Sequence, residues 1–237
     1  MAHGLDITFK SVVDEALELC FPTRCASCDD ADALLCNACL KQAHSYETEY
    51  ACPVCGAPYG KLICTECWDE EFAFSKALAL GTLEPPLSKA CVLLKDANER
   101  RLGRYVGQLL GLRIQLAYPN WPDVVTWVPP SSSALRRRGF DHGILLAQGV
   151  SLVLGLQPQQ TCRHKKSFDM RSLDRTQRKI AACQAFEFDA PVKAVKDKRV
   201  LLIDDVFTTG ATLHAVSSTL LEAGAKEVRA AVVARAW

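Results

Sequence analysis

The sequence predicts an α/β domain, a parallel sheet flanked by helices, preceded by a small cysteine-stapled module. Three stretches carry that prediction. Val200-Leu201-Leu202-Ile203 is an apolar, mostly branched run of the kind found in strands buried on both faces. Val124 to Val128 is a second such run, and an apolar helical stretch over Ile144 to Leu154 comes after it. Ahead of both, eight of the twelve cysteines fall into four Cys-x-x-Cys pairs before residue 68.

Composition narrows the class. The chain has 237 residues, 49% of them hydrophobic and 23% charged, which is an ordinary globular make-up with room for one medium domain and a small one. Net charge is +1, so any surface for nucleic acid has to be local. The first ten residues include Asp6 and lack the apolar core of a signal peptide. The longest charge-free run, Gly143 to Cys162, is interrupted by Gly155 and Pro158 and reads as a buried helix plus a turn, with no membrane span. A secreted disulfide framework would need a signal sequence, so the expectation is a cytoplasmic chain with reduced thiols.

Taken in order, residues 1–22 form an N-terminal amphipathic helix, with Ile7, Phe9, Val12, Val13, Ala16 and Leu17 near helical spacing and a stop at Phe21-Pro22. Residues 23–70 form the cysteine module. Cys25-x-x-Cys28 is followed after seven residues by Cys36-x-x-Cys39; Cys52-x-x-Cys55 is followed after eight by Cys64-x-x-Cys67. Each pair points two thiolates at one centre, and two pairs supply a tetrahedral set, so two structural zinc sites are expected. An iron–sulfur cluster or a redox dithiol is the alternative. Pairing in sequence order is the expectation because the two spacings nearly match; a cross-braced pairing uses the same eight ligands. Arg24, Lys41 and Lys61 sit among Asp29, Asp30, Asp32, Glu47, Glu49 and Glu66, so this module reads as scaffold or protein-docking surface rather than a nucleic-acid face.

Residues 77–237 form the α/β domain. Ala77 to Leu83 reads as a strand broken by Pro85-Pro86, then a helix from Leu87 with Lys95 near its end, then a helix around Arg100 to Leu112. After the strand at Val124 come Pro129-Pro130-Ser131-Ser132-Ser133 and Arg136-Arg137-Arg138-Gly139-Phe140-Asp141-His142. His142 is a candidate base or ligand, but at a helix start with no Cys or His partner nearby its default reading is structural. Arg163 to Lys179 holds seven basic residues against two acidic ones, with Lys165, Lys166 and Arg171 as candidates for a substrate-covering loop or a single-stranded DNA surface beside Phe168. Val228 to Val233 closes the domain as a core strand.

The chemistry concentrates after Ile203. The strand ends on Asp204 and Asp205, then Val206-Phe207-Thr208-Thr209-Gly210-Ala211-Thr212 leads into a helix carrying Leu213, Val216, Leu220 and Leu221 on one face. The turn delivers unpaired amides at a helix N-terminus, a ready anion site, and Gly210 allows close approach of a phosphate. Carboxylates beside such a site repel a bare anion unless hydroxyl donors or a metal ion accompany it. The alternative is a βα turn whose two carboxylates cap the helix.

The run from Val200 to Thr212 resembles the signature of the type I phosphoribosyltransferases, which bind phosphoribosyl pyrophosphate (PRPP) with Mg2+. The resemblance implies that Asp204 and Asp205 hold the ribose hydroxyls and that Thr208, Thr209, Gly210, Ala211 and Thr212 wrap the 5-phosphate. It places the leaving pyrophosphate near Ser131, Ser132, Ser133 and Arg138. Purine-salvage members usually carry an aspartate where this chain has Thr208, which argues against simple purine salvage. Taken with the cysteine module, the proline-rich loop and Arg138-Gly139-Phe140, nearly the whole chain resembles the ComF family of bacterial competence proteins. That resemblance implies a link to DNA uptake, with single-stranded DNA or other DNA-uptake proteins as partners. It also implies two possible roles: phosphoribosyl transfer to an unidentified acceptor, or a non-enzymatic DNA factor using PRPP as a switch. The family's Arg-Gly-Phe-Asn-Gln stands here as Arg138-Gly139-Phe140-Asp141-His142, and a Gln and an Asn common in the basic loop are replaced by Met170 and Ala181.

Overall fold

The computed structural model describes residues 18, 21–43, 50–58, 60–165 and 185–236. Four strands, β1 (Lys76–Thr82), β2 (Val124–Trp127), β5 (Arg199–Phe207) and β6 (Glu227–Arg235), form one parallel sheet in the order β1-β6-β5-β2. The hairpin β3 (Cys162–His164) and β4 (Phe186–Phe188) stands apart as an antiparallel pair. Helices α1 (Asn37–Gln42), α2 (Leu87–Asp96), α3 (Arg101–Ala117), α4 (Ser132–Arg138), α5 (His142–Leu154) and α6 (Ala211–Glu222), with a 3-10 turn at Val192–Ala194, complete the described elements. Among the described residues no helix is long and apolar enough to cross a membrane.

The sheet is apolar on both faces because both are covered. Side chains alternate along a strand, and the two cores divide accordingly. Leu201 and Ile203 join Leu78, Val125, Ala231 and Val233 beneath α2, α3 and α5, whereas Val200 and Leu202 join Ala77, Val124, Ala230 and Val232 beneath α6. The two cysteine sets divide the same way. Cys25 and Cys39 pack into the first core with Leu35, and Cys52, Cys55, Cys64 and Cys67 pack into the second with Phe74.

On the first face α3 and α5 meet almost backbone to backbone. A Cβ on Gly107 would lie 2.3 Å from the Leu146 carbonyl oxygen, and one on Gly149 would lie 2.3 Å from that of Arg104. Only glycine fits there.

Several elements run longer than the sequence pattern suggests. α3 extends to Ala117, and α5 begins at His142, where Asp141 caps it through Oδ1 to the amides of Gly143 (2.8 Å) and Ile144 (3.3 Å). β5 does not end on the acidic pair. It continues to Phe207 because β6 runs equally far and pairs Asp204 with Val232, Val206 with Ala234 and Phe207 with Arg235. The three serines do not lie in an open loop: Ser131 caps the short helix α4, its Oγ accepting from the Ala134 amide at 3.2 Å. Most of the N-terminal helix expected over residues 1–22, and Lys166, Arg171, Met170 and Ala181, lie outside the described residues.

Candidate functional site

Ligand sites of open α/β sheets lie at the carboxyl ends of the strands. Here β2 and β5 are hydrogen-bonded neighbours, and the Val128 amide donates to the Ile203 carbonyl at 2.9 Å. The chain therefore leaves β2 for Ser131–Ser133 directly beside the strand that carries Asp204 and Asp205. That adjacency brings the expected pyrophosphate and ribose residues to one end of the sheet.

Asp205 is 5% exposed and is approached from two neighbouring elements. Lys95, from the last turn of α2, forms an ion pair with its Oδ2, and His142 Nε2 approaches the same oxygen at 3.5 Å. Arg138 Nη1 lies 3.3 Å from His142 Nδ1. Asp204 and Asp205 each accept from the next backbone amide, at 2.9 and 2.8 Å. The site thus holds two carboxylates, an ammonium, a guanidinium and an imidazole in one cluster. His142, whose default reading from sequence is structural, is part of it, as is Lys95; helix positions alone do not reveal that α2 ends and α5 begins at this end of the sheet.

Burial sets the ionisation here. It pushes the Asp204 carboxyl up to about 7, with Lys95 pulling it back and Asp141 adding to the rise. It pushes His142 down to about 4, helped by the cations Lys95 and Arg138, so the imidazole is neutral at pH 7. Burial also lowers Lys95, against the pull of Asp204. Asp141 is raised by burial, although Trp127 Nε1 donates to its Oδ2 at 2.8 Å. The two carboxylates offer hard oxygen donors of the kind Mg2+ takes, and His142, Asp204 and Asp205 present one ligand atom each within 4.8 Å of one another.

The phosphate-turn candidates follow on β5. Thr208 and Thr209 are exposed, and Gly210 sits in the left-handed region at φ +77°, turning the chain into α6. Glycine is required there twice over. A side chain would be strained, and its Cβ would lie 2.8 Å from the Phe207 ring and 2.6 Å from that of Phe72. Gly210 offers α6 no side-chain cap, and the Ala211 amide makes one long hydrogen bond, to Thr209 Oγ1 at 3.4 Å.

The cysteines gather in sequence order: Cys25, Cys28, Cys36 and Cys39 in one group, Cys52, Cys55, Cys64 and Cys67 in the other. Cys28 and Cys36 sulfurs lie 3.7 Å apart and those of Cys55 and Cys64 3.6 Å apart. Tetrahedral zinc with bonds of about 2.3 Å holds sulfurs about 3.8 Å apart, while a disulfide needs about 2.05 Å. Amides support the charge: Cys36 N donates to Cys25 Sγ at 3.3 Å and Cys64 N to Cys52 Sγ at 3.4 Å. Burial would raise these two thiols, yet backbone amides outweigh it and hold Cys25 at about 6 and Cys52 at about 7. Both groups are compatible with structural zinc.

Residues 141–236 match the family model described as the phosphoribosyl transferase domain. The chain is 29% identical over 210 residues to competence protein F of Haemophilus influenzae, covering 85% of this chain and 90% of that protein. The chain is similar to the ComF competence proteins in this relative, in its phosphoribosyl transferase domain and in its two cysteine groups. A further relative, the DNA utilization protein YhgH of Escherichia coli, is 27% identical over 203 residues, covering 82% of this chain and 87% of its own. Among solved structures, a purine phosphoribosyltransferase from Pyrococcus horikoshii Ot3 is similar at 24% identity, over 55% of this chain and 70% of that one, with a TM-score of 0.36. The ComF resemblance thus spans both the cysteine groups and the phosphoribosyltransferase domain. Arg235, discussed below, was not singled out by sequence. A charged residue closing the apolar run Ala230–Ala234 is the signal that could have found it, because a buried charge needs partners.

Proposed function

We propose that the chain binds PRPP with Mg2+ at the carboxyl end of its sheet and transfers the phosphoribosyl group to an acceptor, releasing pyrophosphate. The 5-phosphate rests on Thr208, Thr209, Gly210, Ala211 and Thr212; the ribose hydroxyls donate to Asp204 and Asp205; the pyrophosphate lies near Ser131, Ser132, Ser133 and Arg138. The single observation that carries this reading is the strand, acidic pair and left-handed Gly210 opening a helix, with Lys95 and Arg138 beside it. Bound Mg2+ would neutralise diphosphate charge, with Asp204 and Asp205 as the residues available to hold it. The acidic pair favours the positive charge that develops on the ribose as its bond to pyrophosphate breaks, and Arg138 stabilises the departing anion. Arg138 Nε is buried without a hydrogen-bond partner among the described residues, which leaves it a donor to offer.

Calorimetric titration of zinc-replete protein with PRPP and Mg2+, beside Asp204→Ala/Asp205→Ala, tests the reading. Binding by the wild type and its loss in the variant are expected. A wild type that binds no PRPP overturns it.

The words competence and DNA utilization in the relatives' names support a DNA-linked role; the second reading is therefore a cytoplasmic, non-enzymatic factor that handles single-stranded DNA and uses PRPP as a switch, alongside other DNA-uptake proteins. Lys165, Lys166 and Arg171 are its candidate contacts. Their replacement by alanine then weakens DNA binding and flattens its salt dependence.

A further inference from the structure

Arg235 ends β6 only 2% exposed, and its guanidinium joins two regions far apart in sequence. Nη1 donates to the carbonyls of Phe207 (3.2 Å) and Thr208 (2.8 Å), the residues that open the phosphate turn. Nη2 donates to Glu66 Oε2 at 2.5 Å and lies 4.0 Å from Cys55 Sγ. Glu66 sits between Cys64 and Cys67, so the loop those two cysteines close fixes where its carboxylate stands. The guanidinium also stacks on the Phe207 ring, 4.5 Å from its centroid, and that ring is one of the two packed against Gly210. A parallel contact runs alongside. The Ala73 amide donates to His214 Nδ1 of α6 at 3.2 Å, and Phe72 stacks on Phe74 at 4.7 Å.

We propose that Arg235 is a positioning residue that couples the second cysteine site to the phosphate turn, so that metal at Cys52, Cys55, Cys64 and Cys67 and phosphate at Thr208–Thr212 reinforce each other. The proposal rests on the phosphate-binding reading of that turn. Its physical basis is the rigid guanidinium fork, which satisfies a carboxylate on one side and two carbonyls on the other. With Glu66 removed or displaced, a buried cation loses its counter-charge, and the carbonyls it braces loosen. Coupling of this kind is reciprocal: phosphate binding must then tighten metal retention at the second site by the same factor.

The test compares wild type, Glu66→Gln, Arg235→Lys and the surface control Arg24→Ala. Hydrogen exchange at the amides of Thr208–Thr212 is read without ligand, PRPP with Mg2+ is titrated by calorimetry, and zinc release to a chelator is timed with and without PRPP. Glu66→Gln is expected to speed exchange at the turn and weaken PRPP by about tenfold, with PRPP slowing zinc release in the wild type only. Unchanged exchange, affinity and zinc release in Glu66→Gln overturn the coupling. Should Arg235→Lys fail to fold, Glu66→Gln decides alone, since its side chain is 55% exposed. A wild type that binds no PRPP while Glu66→Gln still alters exchange refutes the phosphate reading and leaves the mechanical link standing.

Discussion

The two cysteine sites have nearly the same spacing and serve the fold differently. In the first, Cys28 is exposed and Cys36 partly so; in the second, all four cysteines are buried. The first clamps helices from outside: Lys89 Nζ of α2 donates to Ser27 O at 2.7 Å, and Tyr105 of α3 reaches Leu35 O at 3.4 Å. The second is built into the sheet, with the Ala77 amide donating to Val54 O at 2.8 Å and Arg235 beside Cys55. Each therefore backs a different part of the candidate pocket. The first steadies the helix that delivers Lys95 to Asp205, and the second braces the turn after Phe207. Similar motifs acquire different duties from the face of the sheet they pack on.

The sharpest way to break that comparison is to remove one ligand from each site. Structural zinc contributes roughly 10–16 kcal/mol of apparent binding energy in isolated peptides, comparable with the about 5–15 kcal/mol that holds a whole domain together. Cys55→Ala is expected to cost global folding, seen as loss of a cooperative thermal transition. Cys28→Ala is expected to leave the transition in place at lower temperature, with one zinc per chain. Equal losses would mean that both sites are integral to the sheet.

A smaller effect is expected on the first face at the α3–α5 contact. Gly149→Ala pushes a methyl into the Arg104 carbonyl and the Gln108 amide nitrogen, the latter 2.8 Å from the new Cβ. Overpacking of this kind costs about 1–3 kcal/mol, measurable as a shift in urea midpoint. A neutral outcome would show that α5 can slide, loosening the link between the first face and His142.

A further effect depends on pH. With its carboxyl raised to about 7, folded Asp204 holds a proton that the unfolded chain, at 3.8, gives up. Stability from this group is therefore present at low pH and falls as pH rises from about 4 to 7. Asp204→Asn has no such loss, so its melting temperature relative to wild type should climb across that window and level off above it. A flat difference would mean that Lys95 already compensates the charge. His142 works in the opposite sense, losing stability as pH falls from 6.5 toward 4, and does so in both proteins.

Much of this was legible in sequence where a local pattern carries the physics. The apolar run of β5, the Thr-Thr-Gly turn and the cysteine pairs each state their geometry within a dozen residues. The extension of β5 through Asp204 and Asp205 was not legible, because a strand's end depends on how far its neighbour runs. Lys95 and His142 stayed hidden for the same reason. Only the strand order β1-β6-β5-β2 brings the ends of α2 and the start of α5 to one carboxylate. Arg235 lies 169 residues from the carboxylate it pairs with, beyond any local signal.

The glycine contact between α3 and α5 works as a gauge. With no side chain to compress at Gly107 or Gly149, the spacing of the two helices is set by backbone alone, a stop as hard as any in the molecule. From Gly149 to His142 is about 10 Å of helix, so the stop lies about two turns from the imidazole. Two residues with nothing to offer chemistry except their absence of bulk thus fix how closely α3 approaches the helix that starts at His142, 3.5 Å from Asp205.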